Sequence, residues 1–368
     1  MNIDKNWVET NYNREKSFVI PDNVTSIGEY AFAYCENLES ITIPDSVTSI
    51  GDNAFSGCKS IKSICIPDSV TSIDHGAFAY CRNLTKITIP NSVKVIGNAA
   101  FYNCENLQKI TIPYGVTKIS QYTFSGCKNL ISINIPNSVK AIGINAFQYC
   151  ESLENIIIPD SVRTIGKYAF QYCESLRNIV IPSKVKKINR LTFCECSNLV
   201  NVKIPNTVTS IDIAAFLGCG NLQKIDIPDS VEVIGGWAFE YCVNLQKITI
   251  PKSVKVIEPY AFHGCKNLKS VIISDGVTSI GKWAFSGCES LKNIDIPSSV
   301  TEIAVFTFSK CTNLQKITIP ITVNKINRYA FSGSKNIVIR CKKNSYAENF
   351  AKAHHFPTIF LRTRSKKC

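Results

Sequence analysis

Groups that catalysis usually requires are scarce in this sequence. Its 368 residues include four histidines, of which His75 and His263 lie far apart in the chain and His354 and His355 are adjacent near its end. There is no glycine-rich phosphate loop, no Gly-x-Ser-x-Gly nucleophile turn and no His-Glu-x-x-His zinc motif. These absences argue against an enzyme, and we predict neither catalytic nor cofactor-binding residues.

A metal site is also not indicated. The nearest approach to a ligand motif is Cys194-x-Cys196. Zinc sites favour Cys-x-x-Cys spacings with further ligands close by. Because Cys196 also belongs to a regular row of cysteines, we predict that it has a structural role and that the chain binds no metal.

Long apolar runs are missing as well. Nothing approaches the roughly 18 apolar residues of a membrane-spanning helix, and the polar residues 1–16 contain no apolar segment of a secretory signal. Taken literally, the sequence predicts a cytoplasmic chain or one that is exported by another route. The formal net charge of +13 suggests either an acidic partner or lysines that only keep exposed positions soluble.

What the sequence does contain is a unit of 23 residues that recurs without interruption. Phenylalanine fills fourteen equivalent positions from Phe32 to Phe331. The proline that closes the unit recurs from Pro21 to Pro320, and only Ser274 replaces it. A fixed period of this length predicts a solenoid that grows coil by coil, in which each coil buries its apolar side against the next.

Most of the 17 cysteines follow the same period. Thirteen of them share one offset between Cys35 and Cys311, and Ser334 ends the row. Each lies three residues after the repeated phenylalanine and three before a leucine or isoleucine, which is an inward position. A disulfide needs Cβ atoms about 3.8 Å apart, whereas stacked coils hold these Cβ vectors parallel. We therefore predict a column of buried free thiols that pack as small apolar groups.

Two periodicities alternate within each coil. Ile248 and Ile250 are two residues apart, which predicts an extended strand with both side chains inward and their neighbours outward. Pro251 then ends the strand. The Ala-Phe-x-x-Cys segment that follows later in the coil has the spacing of one helical turn, so we predict a short helical turn opposite the strand.

The complete unit, Leu-x-x-Ile-x-Ile-Pro-x-x-Val-x-x-Ile-Gly-x-x-Ala-Phe-x-x-Cys-x-x-Leu, resembles the BspA-type leucine-rich repeat family over residues 17–336. The resemblance implies an α/β fold, a right-handed leucine-rich-repeat solenoid (horseshoe) with a parallel concave β-sheet and short helical turns opposite. It also implies a non-enzymatic binding scaffold for protein–protein or adhesion interactions at the cell surface. The sequence departs from that expectation because it shows no secretion signal or membrane anchor.

Four segments follow from where the pattern starts and fades. Residues 1–14 form an N-terminal leader or cap, and Trp7 and Val8 are expected to cover the first coil. Residues 15–336 form a solenoid of 14 coils, and residues 337–361 form a C-terminal cap. In that cap Ser345 and Glu348 have the spacing of a capping box, which predicts a helix, and the resembled family has a similar closing helix. Residues 362–368 form a basic tail.

Two outward rows are candidates for ligand binding. The first lies on the predicted strands and comprises Lys86, Thr88, Lys109, Thr111, Lys224, Lys247, Thr249, Lys316 and Thr318. Like charges on neighbouring strands cost stability unless an anion or solvent relieves them. This row therefore suggests a concave face for an acidic protein or glycan. The alternative is a set of solvated lysines interrupted by Asp226 and Asp295.

The second row places aromatic side chains at one offset in five successive coils. Its members are Trp237, Tyr260, Trp283, Phe306 and Tyr329. Aromatic residues on an accessible surface are typical of binding hot spots. The alternative is that the rings lie flat on one another and only shield the edge of the core.

These features predict a scaffold whose partner is a protein, with acidic, host or extracellular proteins as candidates. An alternative is the binding of a polyanion, a glycan or a nucleic acid, through the basic concave face. Steep salt dependence would favour the polyanion. A third alternative is a purely structural role without a ligand.

Overall fold

The computed structural model describes residues 1–361, in which most coils are built from two strands and a series of turns. At Asn155 and Lys224 the first strand is reduced to an isolated bridge to the next coil. The predicted tail, residues 362–368 with Cys368, lies outside the described residues. We call the row of strands before the repeated proline the first strand wall. The row of two-residue strands after it is the second strand wall, and the segment around the repeated phenylalanine is the turn wall.

The strands of the first strand wall alternate between outward and buried side chains. They are β2 (Ser17–Val19), β4 (Ser40–Thr42), β6 (Ser63–Cys65), β8 (Lys86–Thr88), β10 (Lys109–Thr111), β12 (Ser132–Asn134), β15 (Asn178–Val180), β17 (Asn201–Lys203), β20 (Lys247–Ile250), β22 (Ser270–Ile273), β24 (Asn293–Asp295), β26 (Lys316–Thr318) and β28 (Val338–Cys341). In β10, for example, Lys109 and Thr111 are exposed and Ile110 is buried. The period-2 pattern therefore predicted this wall correctly.

The second strand wall repeats a pair of residues that ends in a buried isoleucine. Its strands are β3 (Ser26–Ile27), β5 (Ser49–Ile50), β7 (Ser72–Ile73), β9 (Val95–Ile96), β11 (Lys118–Ile119), β13 (Ala141–Ile142), β14 (Thr164–Ile165), β16 (Lys187–Ile188), β18 (Ser210–Ile211), β19 (Val233–Ile234), β21 (Val256–Ile257), β23 (Ser279–Ile280), β25 (Glu302–Ile303) and β27 (Lys325–Ile326). The terminal segments add β1 (Asn2–Ile3), α1 (Lys5–Asn11), α2 (Tyr346–Ala353) and β29 (Thr358–Phe360).

The chain divides into two compact units. The first contains residues 1–186 and 192–199, and the second contains residues 187–191 and the chain from residue 200 onward. Within the first unit the parallel sheets run in the orders β1-β3-β5-β7-β9, β12-β10-β8-β6, β11-β13-β14 and β2-β4. Within the second they run β16-β18-β19-β21-β23, β20-β22, β24-β26-β28-β29 and β25-β27. Equivalent residues of successive coils are Cα partners, as Ile110 and Ile133 are.

The predicted helical turns are wrong. Between residues 1 and 361 the helices are α1 and α2, close to the two ends, whereas the turn wall consists of successive tight turns. In the first complete coil, Tyr30, Phe32 and Tyr34 donate their backbone N–H groups to carbonyls of the next coil at 2.7–2.9 Å. Tyr30 and Tyr34 have φ angles of 54° and 61°. Hydrogen bonds between coils thus replace the i to i−4 bonds that a helix would need.

The core is a stack of identical layers. Phe55 and Phe78 lie with ring centroids 5.4 Å apart and parallel planes, and both are fully buried. The predicted column of free thiols is confirmed for the buried cysteines, because no disulfide is formed among residues 1–361. The thiols are more than apolar filler. Cys58 donates its Sγ–H to the carbonyl of Phe32 at 3.0 Å, and Ser334 makes the equivalent bond to Phe308 at 2.8 Å.

One member of the cysteine row departs from the prediction. Cys35 is half-buried, whereas the later members are buried. It belongs to the first coil, where the N-terminal segment replaces a preceding coil and covers the thiol incompletely. Burial nevertheless raises the pKa of Cys35 to about 11, so the thiol is a poor nucleophile near neutral pH.

Both ends of the repeat array are covered by segments of different sequence. Ile3 and Val8 are buried at the first coil, and the ring of Trp7 lies 6.3 Å from that of Phe18. At the other end, Ser345 Oγ accepts from the backbone N–H of Glu348 at 3.3 Å, which caps α2. These segments cover apolar surface that an uncapped end coil would expose.

Candidate ligand-binding surfaces

The first pair of lysines lies on neighbouring strands of the first unit. Lys86 and Lys109 are exposed and are Cα partners in parallel strands. Adjacent strands are about 4.8 Å apart, so the two ammonium groups share one region of solvent. Thr88 and Thr111 lie two residues further along the same strands and are also exposed. The predicted residues of this set therefore form one surface, with two cations and two hydroxyls around a shallow depression.

This surface lacks a counter-charge of its own. The outward positions of the four-stranded sheet β6-β8-β10-β12 are Ser63, Cys65, Lys86, Thr88, Lys109, Thr111, Ser132 and Asn134. None of them is acidic. The repulsion between the two lysines is consequently relieved by solvent and salt alone in the unliganded protein.

The second pair of lysines also lies on neighbouring coils, but Lys224 belongs to an isolated bridge and not to a strand as predicted, and the electrostatic setting differs. Lys224 and Lys247 form a parallel bridge in the second unit. Asp226, two residues after Lys224 on the same face, lies 3.0 Å from its Nζ. Both side chains of that ion pair are largely exposed, so it adds little stability. It does partly neutralise the pair, and Thr249 is the remaining predicted member beside it.

The third set is less accessible than predicted. Lys316 and Thr318 are half-buried, and the Thr318 hydroxyl is buried without a hydrogen-bond partner in the described part of the chain. Thr318 lies between Asp295 and Arg340 as Cα partners on the neighbouring strands. The flanking strands therefore cover this set, and it makes a weaker candidate for ligand contact than the other two.

The aromatic row forms a continuous stack in the turn wall of the second unit. From Trp237 to Tyr329, successive ring centroids lie 5.4, 5.8, 4.1 and 5.6 Å apart, with planes inclined by at most 29°. The two end rings are exposed and the three between them are half-buried. Most ring faces are therefore covered by neighbouring rings, while ring edges and the end rings remain available.

The backbone beneath this stack is unusual. Trp237, Tyr260, Trp283 and Phe306 all have φ angles between 58° and 63°. Glycine and asparagine adopt this left-handed conformation most readily, and it costs other residues about 1–2 kcal/mol. The conformation does not select aromatic side chains, so stacking or binding must account for their presence.

The repeat model of one family covers almost the whole chain. The BspA type leucine rich repeat region, a model of six copies, matches residues 9–131, 117–246 and 234–348. The chain belongs to the BspA-type leucine-rich repeat family. The resemblance noted from the 23-residue unit is thus confirmed. Leucine-rich repeat proteins generally act as binding scaffolds and are usually non-enzymatic.

Solved structures of other leucine-rich repeat proteins are similar to this chain, and the first of those below shares its fold. A protein from Bacteroides ovatus is 33% identical with a TM-score of 0.72, and the match covers 94% of this chain and 84% of that one. A leucine rich cell surface protein from Faecalibacterium prausnitzii is 26% identical over 95% of this chain and 89% of its own, with a TM-score of 0.43. A protein from Eubacterium ventriosum is 26% identical over 76% and 84%, with a TM-score of 0.49. No curated protein sequence matches the chain.

The turn wall of this chain also carries a polar column that the sequence reasoning missed. It consists of the polar side chains that directly follow the core phenylalanines. In the second unit its buried and half-buried members are Glu240, His263, Ser286 and Ser309. Glu240 is 9% exposed, and burial raises its pKa to about 7. The available signal was the shared 23-residue offset of Glu240 and His263, a buried offset at which small or uncharged residues predominate.

Other chemistry finds no support in the described residues. Among residues 1–361, no three histidine, cysteine, aspartate or glutamate side chains are placed to hold a metal ion. No helix of that region has the length and apolar composition to cross a membrane.

Proposed function

We propose that this protein is a binding scaffold that recognises acidic segments of protein partners through the first strand wall. Adhesion at a cell surface is the setting we propose for this activity. The observation that carries the proposal is the pair Lys86 and Lys109, which are exposed on adjacent strands of a sheet face without an acidic side chain. A carboxylate placed between them would relieve their repulsion and gain two charge-assisted hydrogen bonds.

The geometry supports a repeated contact with an extended segment rather than an enclosed site. The depression beside these lysines is shallow and lined by polar and aliphatic groups, including Thr88 and Thr111. Their hydroxyls can donate to the same anionic group or to a backbone carbonyl of the ligand. Such a surface provides orientation and charge, and it leaves most of a bound segment exposed to solvent.

The two lysine pairs are expected to contribute unequally. Lys224 is already within 3.0 Å of Asp226, so an incoming carboxylate must compete with that contact. Lys86 and Lys109 have no such competitor on their sheet face. We therefore assign the stronger contact to the pair in the first unit and a supporting contact to Lys224 and Lys247.

Poly-L-glutamate is a suitable probe of the proposal. Lys86→Glu combined with Lys109→Glu should weaken its binding at least tenfold, or about 1.4 kcal/mol, because two attractive charges become repulsive. Lys94→Glu combined with Lys118→Glu is a matched control, since both lysines are exposed in the first unit but lie off the first strand wall. Equal losses in the two double variants would show that net charge alone drives binding, and the site assignment would be abandoned.

A polyanion is the second candidate ligand, because the same uncompensated lysines would attract sulfate or phosphate groups. Heparin affinity measured against salt concentration distinguishes the two ligands. A polyanion that contacts many phosphates or sulfates shows a steep logarithmic slope, roughly one unit for each contact. A steep slope for heparin together with weak binding of poly-L-glutamate would replace the protein ligand with a glycan or nucleic acid.

The proposed setting has its own test. Antibody labelling of a tagged protein in intact and in permeabilised cells reports where the scaffold resides. Labelling of intact cells supports adhesion, whereas labelling that requires permeabilisation would remove the cell-surface part of the proposal and leave the binding surface unaffected.

A further inference from the structure

Several side chains of the polar column of the turn wall are paired with one another or with the residue three positions earlier. In the first unit, Asn145 Nδ2 donates to Gln148 Oε1 at 2.6 Å, and Gln148 Nε2 donates to Gln171 Oε1 at 2.7 Å. In the second unit, Ser309 Oγ donates to Ser286 Oγ at 2.8 Å. A column residue therefore contacts the residue three positions before it and its equivalent in the next coil.

By the same geometry, Glu240 lies between Trp237 in its own coil and His263 in the next. The backbone N–H groups of Phe239 and Tyr241 donate to Ala261 and His263 at 2.8 Å, which places the two coils at strand spacing. On the opposite side the equivalent residue is Leu217, which offers no polar atom. Glu240 is 9% exposed, and its carboxylate has no hydrogen bond or ion pair within the described residues.

His263 is the next member of the column after Glu240. Its Nδ1 is buried without a hydrogen-bond partner in the described part of the protein. Burial lowers the pKa of His263, and Lys310 acts in the same direction, so the ring is neutral near pH 7. The Ser286 backbone opposes that shift through a hydrogen bond. One nitrogen of a neutral imidazole is an acceptor, and Nδ1, which has no partner in the described residues, can take that role.

Aromatic rings surround these two acceptors. The ring of His263 has its edge or face toward Tyr241, Tyr260 and Trp283, at centroid distances of 5.5, 5.8 and 6.3 Å. Trp237 and Tyr241 flank Glu240 in the chain, and both are exposed. The faces of aromatic rings attract cations, more strongly when water is excluded. The carboxylate, the imidazole and several π faces thus lie together in one region of the turn wall.

We propose that Glu240, His263 and the rings of Trp237 and Tyr241 form a binding site for an alkylammonium group, such as the end of a lysine side chain or a free primary amine. An ammonium carries three N–H donors and a positive charge, so one group can bond both acceptors and contact the rings. Nδ1 is covered in the unliganded protein, and binding therefore requires a side-chain rotation of the covering rings. This site goes beyond the proposed function, since it lies on another wall and selects the opposite charge.

The charges near the carboxylate favour this assignment over binding of an anion. The titratable groups that face Glu240 and His263 are Tyr241, Tyr260, Cys265 and, toward His263, Lys310. Burial raises the pKa of the Cys265 thiol, which is therefore neutral near pH 7. Once ionised, Glu240 would be the single anion of the site, and a bound cation would compensate it.

Binding can be followed with N-acetyl-lysine methylamide and with its neutral Nε-acetylated analogue. Tryptophan fluorescence and the ¹⁵N chemical shift of His263 Nδ1 report contact. The lysine probe should saturate both signals, and the acetylated analogue should change neither. Affinity should be about tenfold higher at about pH 8 than at about pH 6, because ionisation of Glu240 near pH 7 makes the carboxylate available. Propylamine, tested in parallel, separates a site for the ammonium alone from one that also contacts a peptide backbone.

Two variants decide the assignment. Glu240→Gln keeps the shape of the side chain and should weaken the lysine probe at least tenfold, whereas Glu232→Gln removes an exposed carboxylate of the same coil and should change nothing. His263→Ser introduces the residue of the next coil and should reduce affinity while removing the Nδ1 signal. Unchanged affinity in Glu240→Gln, equal binding of the two lysine probes, or no saturable signal at either pH would each overturn the proposal.

Discussion

Two columns of aromatic rings run side by side through the second unit, and they differ in what holds them in place. Inside the core, Phe239, Phe262 and Phe285 stack at 5.3 Å and are fully buried. On the turn wall, the row from Trp237 to Tyr329 stacks at similar spacing but is partly exposed. The inner ring is phenylalanine in all fourteen coils, whereas the outer offset is aromatic in only some of them.

The comparison shows that the pitch of the coils is enough to stack rings at either position. Burial makes one column essential to the fold, because removal of an inner ring leaves a cavity. The outer column gains only ring contacts, and most of its members occupy a left-handed backbone conformation that does not suit them. The stability of the fold therefore does not require aromatic residues at these positions, and ligand binding can explain them.

The sharpest test of this difference is truncation of neighbouring rings. Phe285→Ala should lower the free energy of unfolding by about 3–5 kcal/mol, since it leaves a cavity in close-packed surroundings. Trp283→Ala, two residues away on the outer column, should cost about 1 kcal/mol from lost ring contacts. Urea denaturation followed by circular dichroism measures both, and equal losses would show that the outer column belongs to the core.

The thiols of the inner layer provide the next test. Cys265 donates its Sγ–H to the Phe239 carbonyl at 3.2 Å. Cys265→Ala should cost about 2 kcal/mol from a small cavity and an unpaired carbonyl. Cys265→Ser should cost less, because serine makes this bond naturally at position 334. If denaturation midpoints show that Cys265→Ser is less stable than Cys265→Ala, the thiols contribute only apolar packing and not a hydrogen bond.

The polar column of the turn wall should make stability depend on pH. The pKa of Glu240 is about 7 in the folded protein, raised from 4.5 by burial. The folded state thus retains a proton that the unfolded state releases, and stability should fall as pH rises from about 4.5 to 7. We expect a loss of about 1–2 kcal/mol, since solvent screens part of the penalty. The melting temperature of Glu240→Gln should not show this dependence on pH. An unchanged dependence would mean that another group causes it.

The smallest expected effect concerns the backbone of the outer column. Tyr260 has a φ angle of 61° and stacks on two neighbouring rings. Tyr260→Asn loses those contacts but gains a residue that tolerates the left-handed conformation, so stability should change by less than about 1 kcal/mol. Tyr260→Ala loses the contacts without that compensation. Melting temperatures should rank Asn above Ala, and the reverse order would mean that this backbone is not strained.

Sequence reasoning predicted the inner column because burial repeats at every coil and leaves a strict period. The same reasoning misjudged the turn wall. Its Ala-Phe-x-x-Cys spacing suits a helix, yet the N–H groups of Phe32 and Tyr34 bond to the next coil. That competition depends on how closely the coils approach, which no single unit reveals.

The candidate sites, too, were predictable from the sequence only in part. The positions of Lys86 and Lys109 on adjacent strands followed from the period alone. The contact between Lys224 and Asp226 was foreseeable, because side chains two apart on a strand share a face. The burial of Glu240 and the missing partner of His263 Nδ1 were not, since both are properties of the packed wall.

The sequence by itself determined the length of each coil, the side chains that face inward and the strands that carry charge, because burial must recur identically in every layer. Only the tertiary structure decided which polar groups find partners and which do not. Hydrogen bonding and desolvation depend on distances of a few ångströms between coils, and a linear pattern does not contain those distances.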